Sequence, residues 1–177
     1  MSRAEGQPSR TEEPGGSVLI RAFEDRDATA VIALAEELRH FEAGIYPRMK
    51  LTRRLGRWYI DDLIADCIEG DGRVFVAELD GTIVGYVCAR ARVTDEARDR
   101  TQITYAMIDD LVVAADCRGR GIGTSLIAAA EDYVRSRGAR WVRIGVLVRN
   151  FGAYRIYRRA GFRDHLALLE KSLAPEE

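Results

Sequence analysis

A predicted strand runs into a glycine-rich turn that opens a predicted helix in the second half of the chain. Residues 108–124 read IDDLVVAADCRGRGIGT, with glycines at 119, 121 and 123. Glycines in such a turn let backbone N–H groups approach a phosphate, and the helix N-terminus adds positive potential. The helix must then carry the chain back to a parallel strand, so the segment predicts a β-α-β unit with an anion-binding turn.

Two familiar phosphate-binding motifs do not fit this turn. A P-loop requires Gly-Lys-Ser/Thr, whereas Ile122, Gly123 and Thr124 follow Gly121. A dinucleotide-binding fold places an acidic residue at the end of the next strand, and here that strand ends Val-Arg-Asn at 148–150. A tight turn that binds no ligand is the remaining alternative.

Hydrophobic periodicity predicts one domain, residues 17–177, after a polar tail at residues 1–16 that is predicted to be disordered. Predicted strands cover 17–23, 73–79, 82–92, 103–113, 141–148 and 166–169, and predicted helices cover 27–42, 52–68, 124–137 and 150–160. Asp80-Gly81 predicts a tight hairpin, and the nearly continuous apolar run at 141–148 predicts a central strand. The fold class is therefore α/β, with a mixed sheet and helices on both faces.

Composition excludes several classes of protein. At 177 residues the chain fits one domain, and no run approaches the roughly 18 apolar residues of a membrane span. The first sixteen residues lack the apolar stretch of a signal peptide. Three cysteines (Cys67, Cys88 and Cys117) show no metal-ligand spacing, so we expect no metal site, no membrane contact and a cytoplasmic location.

Charge is distributed unevenly along the chain. Residues 118–163 contain eleven arginines and only two acidic residues, a charge of +9, so the rest of the chain carries −10 for a total of −1. This excess predicts an anionic ligand near the C-terminal half, with a solvated basic face as the alternative. The acidic remainder argues against nucleic acid as a partner.

Two motifs in this basic half carry a family resemblance. Residues 118–123 (RGRGIG) resemble the Arg/Gln-x-x-Gly-x-Gly/Ala signature of the GNAT superfamily of acyl-CoA-dependent N-acetyltransferases. Asn150, Ala153, Tyr157 and Gly161-Phe162 resemble that family's Asn-x-x-Ala-x-x-x-Tyr-x-x-x-Gly-Phe segment. The resemblance implies a mostly antiparallel mixed sheet, splayed between its fourth and fifth strands.

The resemblance also implies acetyl-CoA as the cosubstrate. Backbone N–H groups of the turn would hold the pyrophosphate, the strand before it would bind pantetheine, and an N–H near Val112 would polarise the thioester carbonyl. The Asn150 amide suits a pantetheine amide. The residues expected to bind the cosubstrate are Leu111, Val112, Val113, Arg118, Gly119, Arg120, Gly121, Ile122, Gly123, Thr124 and Asn150.

Two side chains are candidates for proton transfer. Tyr157 is the expected acid that protonates the departing thiolate, with Tyr154 as the alternative. Asp109 is the expected base for the amine. Its neighbour Asp110 alternates to the opposite face of the strand, so both line one pocket only if a β-bulge intervenes.

The predicted activity is therefore transfer of acetyl from acetyl-CoA to an amine, by direct attack in a ternary complex. Acidic residues on the first two helices and the sheet predict a cationic acceptor, small or on a protein, unless these residues merely pair with nearby arginines. A non-catalytic CoA-binding module on the same fold is the alternative function. A homodimer is a further possibility that the family resemblance implies.

Overall fold

The structure is a computed structural model that describes residues 9–11, 17–46, 48–49, 51, 53–94 and 102–173. Its strands are β1 (Ser9–Thr11), β2 (Val18–Ala22), β3 (Arg73–Leu79), β4 (Thr82–Thr94), β5 (Thr104–Val113) and β6 (Val142–Ile144). Its α-helices are α1 (Ala28–Ile45), α2 (Arg57–Glu69), α3 (Ile122–Ser136) and α4 (Phe151–Arg159). Within these residues no helix combines the length and apolarity needed to cross a bilayer.

The strands form one sheet in sequential order, β1 to β6. Neighbours pair antiparallel up to β5, and β6 pairs parallel to β5 after the crossover through α3. One hydrophobic core lies between the sheet and α3, and a second lies between the sheet and helices α1 and α2. The prediction of a mixed, mostly antiparallel sheet with helices on both faces is confirmed.

The hairpin between β3 and β4 forms where the sequence predicts it. Asp80 and Gly81 have φ values of 49° and 80°, the left-handed region that two-residue hairpin turns require. Gly138 follows α3 with a φ of 87°, the left-handed conformation typical of a glycine that ends a helix.

Other predicted elements differ from the observed ones. The strand predicted at 141–148 to be central is the short β6, which lies at the sheet edge. Trp141 and Val148 are therefore 73% and 81% exposed rather than packed between neighbouring strands. Residues 166–169 are not a strand, since no partner strand lies beside them among the described residues. Helix α2 begins at Arg57, after an extended Gly56, rather than near residue 52, which lies outside the described residues.

The predicted disordered tail also differs in part. Residues 9–11 within it form β1, which pairs with β2, and its remaining residues lie outside the described part of the chain. The connection predicted at 94–102 lies largely outside it as well.

The splay predicted between the fourth and fifth strands lies between β5 and β6 in the structure, because the unpredicted β1 shifts the numbering by one. This splay positions the functional site. The two strands pair only from Ala106 to Ile108 on β5. Residues 109–113 continue β5 without a parallel neighbour, and we call this stretch the open edge of β5.

Candidate active site

Backbone N–H groups of the glycine-rich turn have no backbone partner among the described residues at the start of α3. Gly119 and Gly121 both have a φ of 79°, and a Cβ built on either would meet no atom within 4 Å. The first N–H groups of a helix have no partner within it, so those of Ile122 to Thr124 point out of the helix N-terminus. The turn is therefore a cradle that side chains would fill, as an anion site requires.

The Arg118 side chain braces this turn. Its Nε donates to the Val113 carbonyl at 2.9 Å, and its terminal nitrogen lies 2.8 Å from a Glu37 carboxylate oxygen. It thereby ties the turn to the end of β5 and to α1. The exposed Arg120 forms no ion pair with the described residues, so its guanidinium is available to an anion.

Backbone groups of the open edge face in alternating directions. The Ala114 N–H donates to the Val84 carbonyl on β4 at 2.9 Å. By strand alternation the Val112 groups also face β4, whereas those of Leu111 and Val113 face the open side. The alternation favours these two neighbours over Val112 itself as hydrogen-bonding partners for a bound molecule.

Tyr157 lies on α4 with its ring buried and its hydroxyl unpaired. The residue is 8% exposed and packs against Phe162, with ring centroids 6.1 Å apart. Its hydroxyl makes no hydrogen bond to the described residues. Because none of the unpaired polar side-chain atoms in that part of the chain is fully buried, the hydroxyl is accessible. Burial, followed by the charges of Glu42 and Asp110, raises the pKa of Tyr157 to about 12.

The other two predicted residues of this segment make structural contacts. The Asn150 side-chain oxygen accepts a hydrogen bond from the Ala153 N–H at 3.1 Å and so caps α4, which leaves its amide N–H groups for a ligand. The Tyr154 hydroxyl donates to Asp164 at 2.7 Å, and this bond raises the pKa of Tyr154. Tyr157 is thus the tyrosine of this helix whose hydroxyl is uncommitted.

A β-bulge brings both aspartates of β5 to one cavity. Cys88 pairs with Asp110 while Ala89 pairs with Ile108, so Asp109 is the extra residue. A cavity of about 200 Å³ is lined by Tyr59, Asp62, Leu63, Asp66, Cys88, Asp109 and Asp110. The β-bulge expected as the condition for both aspartates to line one pocket is therefore present.

The two aspartates have different partners. Both Asp109 oxygens accept from Arg90, at 2.7 Å from Nε and 2.6 Å from a terminal nitrogen. Asp110 accepts from the hydroxyls of Tyr59 and Tyr86, which lie 2.9 Å from each other. Burial is the main cause that raises the pKa of both tyrosines, so they stay protonated donors.

Glu42 adds a carboxylate from α1. It continues the sheet-facing stripe of Val31, Ala35 and Leu38 at helical spacing, and is half-buried. No hydrogen bond or ion pair involves its carboxylate within the described part of the chain. Burial and the Asp110 charge raise the pKa of Glu42.

The acidic residues of the first two helices fall into two groups. Glu36 and Asp61 pair with Arg39 and Arg57 on their own helices, which matches the expectation of surface pairing, whereas Glu37 pairs with Arg118 of the turn. Asp62 and Asp66 line the cavity with the β5 aspartates. Part of the acidic charge therefore does face a pocket.

Sequence reasoning missed three of the residues that shape the cavity. Tyr86, Arg90 and Cys88 lie on β4 and meet β5 or α2 only through strand pairing and packing. Tyr59 on α2 also lines the cavity, and it reaches Asp110 only through packing of α2 on the sheet. No local pattern in the sequence identifies these contacts.

Comparison with known proteins agrees with this arrangement. The model of the acetyltransferase (GNAT) family matches residues 34–162. An uncharacterized N-acetyltransferase of Methanocaldococcus jannaschii, MJ1207, is 37% identical over 112 residues, which are 63% of this chain and 47% of that protein. A second one, MJ1530, is 30% identical over 152 residues, 85% of this chain and 81% of that protein.

A solved structure shares the fold. The aminoglycoside N-acetyltransferase AAC(6')-Iy in complex with CoA superposes with a TM-score of 0.65 at 17% identity, over 93% of this chain and 100% of that one. The chain belongs to the GNAT family of acetyltransferases, whose members use acetyl-CoA. These matches confirm the predicted family and fold. At the level of the family they also confirm acyl-CoA-dependent N-acetylation with acetyl-CoA as the cosubstrate.

Proposed function

We propose that this chain transfers an acetyl group from acetyl-CoA to a positively charged amine by direct attack in a ternary complex. The observation that carries the proposal is the open cradle at Gly119 and Gly121, which follows the open edge of β5 through the turn braced by Arg118. The unpaired Tyr157 hydroxyl supports it, because burial and the charges of Glu42 and Asp110 raise the pKa of Tyr157.

The residues present fit acetyl-CoA, which supplies an activated acetyl thioester. The open cradle at Gly119 and Gly121 suits a pyrophosphate. The open-side groups of Leu111 and Val113 and the free amide N–H of Asn150 suit the amides of pantetheine. The other predicted residues keep their proposed role in binding acetyl-CoA, whereas the Val112 backbone and the Arg118 side chain are proposed to hold the site in shape.

Tyr157 has the properties required of the acid. A pKa of about 12 keeps its hydroxyl protonated at neutral pH, ready to donate to a departing thiolate. A cationic acceptor near Glu42 and Asp110 would offset the charges that raise this pKa, and so ease the donation. No protein nucleophile is needed, and burial raises the pKa of Cys117, the thiol beside the turn.

The proton acceptor is better assigned to Glu42 than to Asp109. Both oxygens of Asp109 are occupied by Arg90, and Asp110 holds two tyrosine hydroxyls. Glu42 has no such partner among the described residues, and its raised pKa makes it a stronger base than an ordinary carboxylate. Asp109 then contributes charge to the cavity, and Glu42 takes the proton from the ammonium.

The acceptor amine is expected to be cationic. Four aspartates line the cavity of about 200 Å³, and Arg90 neutralises one of them. The remaining negative charge attracts an ammonium group and disfavours an anionic acceptor. Small polyamine-like or aminoglycoside-like amines and protein amines share this chemistry.

An amine panel tests the function and separates it from a non-catalytic CoA-binding module. Thiol release from acetyl-CoA, corrected for hydrolysis, is measured with cationic, neutral and acidic primary amines at low and high salt. We expect amine-dependent release that is highest for cationic amines and falls with salt. Binding of acetyl-CoA without release for any amine would favour the non-catalytic module.

Two further expectations concern assembly and location. Leu166, Leu168, Leu169 and Leu173 are 86–93% exposed, which supports a homodimer that covers this segment. Light scattering of the wild type and of Leu168→Asp tests it, because a monomeric wild type would contradict it. The three free thiols support a cytoplasmic location, which fractionation of the native host would test.

A further inference from the structure

Two buried thiols contact each other beside the cavity of about 200 Å³ that the four aspartates line, which we call the acceptor cavity. Cys67 on α2 and Cys88 on β4 have their sulfurs 2.9 Å apart, and both residues are buried. A disulfide bond length is about 2.05 Å, so the sulfurs need to approach by about 0.9 Å to bond. The proposed acetyl transfer uses neither thiol.

Packed backbone holds the two sulfurs together. The N–H of Arg92 on β4 donates to the Gly70 carbonyl at 2.9 Å, just after α2 ends. A Cβ on Gly72 would strike the Ala89 carbonyl, which shows how closely this turn approaches β4. The end of α2 is therefore anchored to β4 within a few residues of both cysteines.

We propose that Cys67 and Cys88 are an oxidation site that closes to an intramolecular disulfide with a small peroxide as oxidant. Cys88 borders the cavity but has no exposed surface, whereas Cys67 keeps 5% of its surface exposed, so Cys67 is the thiol that a molecule of that size reaches first. Either thiol can donate in the sulfur–sulfur hydrogen bond, which lowers the pKa of Cys67. This bond and the greater exposure of Cys67 favour Cys67 as the attacking thiolate.

The reaction balances without a further reagent. The Cys67 thiolate attacks one peroxide oxygen, the O–O bond breaks, and the leaving hydroxide takes a proton to become water. The Cys88 sulfur then attacks the sulfenic sulfur, the S–O bond breaks, and the oxygen leaves as a second water with the Cys88 proton. Two thiols are oxidised, and one peroxide is reduced to two waters.

The disulfide would join two walls of the acceptor cavity. Helix α2 supplies Tyr59, Asp62 and Asp66, and Cys67 follows directly after Asp66. Strand β4 supplies Cys88 and pairs it with Asp110. This coupling rests on the proposed function, and it predicts a changed amine KM with acetyl-CoA binding preserved, because the phosphate cradle lies on another element.

Mass spectrometry tests the covalent step independently of activity. Reduced protein is treated with hydrogen peroxide, denatured, alkylated and digested, with Cys117 as the matched buried thiol. We expect a linked peptide pair containing Cys67 and Cys88, its loss on dithiothreitol treatment, unchanged linking in Cys117→Ala, and none in Cys67→Ala or Cys88→Ala. Both thiols alkylated in full, sulfinic acid at either, or a link to Cys117 in the wild type would overturn the proposal.

Kinetics tests the coupling to the cavity. In the oxidised protein we expect the amine KM to change by about fivefold or more, with the acetyl-CoA-induced Tm shift unchanged, and dithiothreitol to restore the KM. An unchanged amine KM in linked protein would overturn the coupling alone. Absence of transfer by the reduced protein would instead overturn the proposed function, and the linked peptide would stand.

Discussion

Tyr157→Phe removes the hydroxyl that we assign as the acid and leaves the ring packed against Phe162. General acid catalysis contributes about 10²–10⁴-fold, which corresponds to about 3–5 kcal/mol of transition-state stabilisation. We expect turnover to fall by that factor. The KM for acetyl-CoA is expected to stay close to the wild-type value, because the phosphate cradle is untouched.

The fold should tolerate this change. The hydroxyl makes no hydrogen bond to the described residues, so its removal leaves no partner unpaired, and the free energy of unfolding should stay within about 1 kcal/mol. For a chain of this size that is a Tm change of no more than about 2–4 °C. Thermal unfolding therefore distinguishes a catalytic loss from a structural one.

Steady-state thiol release, with pre-steady-state kinetics to confirm that chemistry limits turnover, is the assay. Tyr154→Phe is the matched control on the same helix, and it should lose only a part-exposed bond to Asp164. Unchanged turnover in Tyr157→Phe with chemistry rate-limiting would refute the assignment. A large loss in Tyr154→Phe instead would move the role to that residue.

Three other changes have defined outcomes. Gly121→Asp should abolish the Tm shift caused by acetyl-CoA. Gly138→Asp, which changes a glycine of similar positive φ at the other end of α3, should keep this shift. Loss of the shift in both variants would indicate backbone strain rather than a blocked phosphate site. Gly85→Ala places a Cβ 2.7 Å from the Val112 carbonyl and should destabilise the protein by about 1–3 kcal/mol in urea unfolding, whereas Gly44→Ala has open space and should stabilise it by up to about 1 kcal/mol. The base must be unprotonated, so kcat/KM should fall as the pH drops through the raised pKa of Glu42. Glu42→Gln should lose this decrease of kcat/KM at low pH, and the control Glu69→Gln should keep it. An unchanged decrease in Glu42→Gln would exclude Glu42 as the base.

Local signals predicted the parts of the fold that depend on neighbouring residues. Asp80-Gly81 specified the hairpin, and the glycines of the turn specified the start of α3, because both depend on backbone conformations that few residues adopt. The bulge at Asp109 and the Asp110 contacts with Tyr59 and Tyr86 depend on the register of strands far apart in sequence. The same holds for the Cys67–Cys88 contact.

The apolar run at 141–148 misled the prediction for a different physical reason. Continuous apolarity indicates a central strand only when strands lie on both sides, and here the chain ends its pairing at Ile144. The family resemblance, rather than periodicity, indicated the splay that leaves residues 109–113 of β5 open.

Product analysis of a single turnover tests the central claim most directly. Wild-type protein in excess is mixed with acetyl-CoA and a cationic amine, and the reaction is quenched at intervals. The masses and amounts of protein, CoA and amine are then measured by mass spectrometry. Direct transfer predicts one acetylated amine for each CoA released, and no acetylated protein at any time. An acetyl group on the protein that later passes to the amine, or CoA released without acetylated amine, would contradict the account.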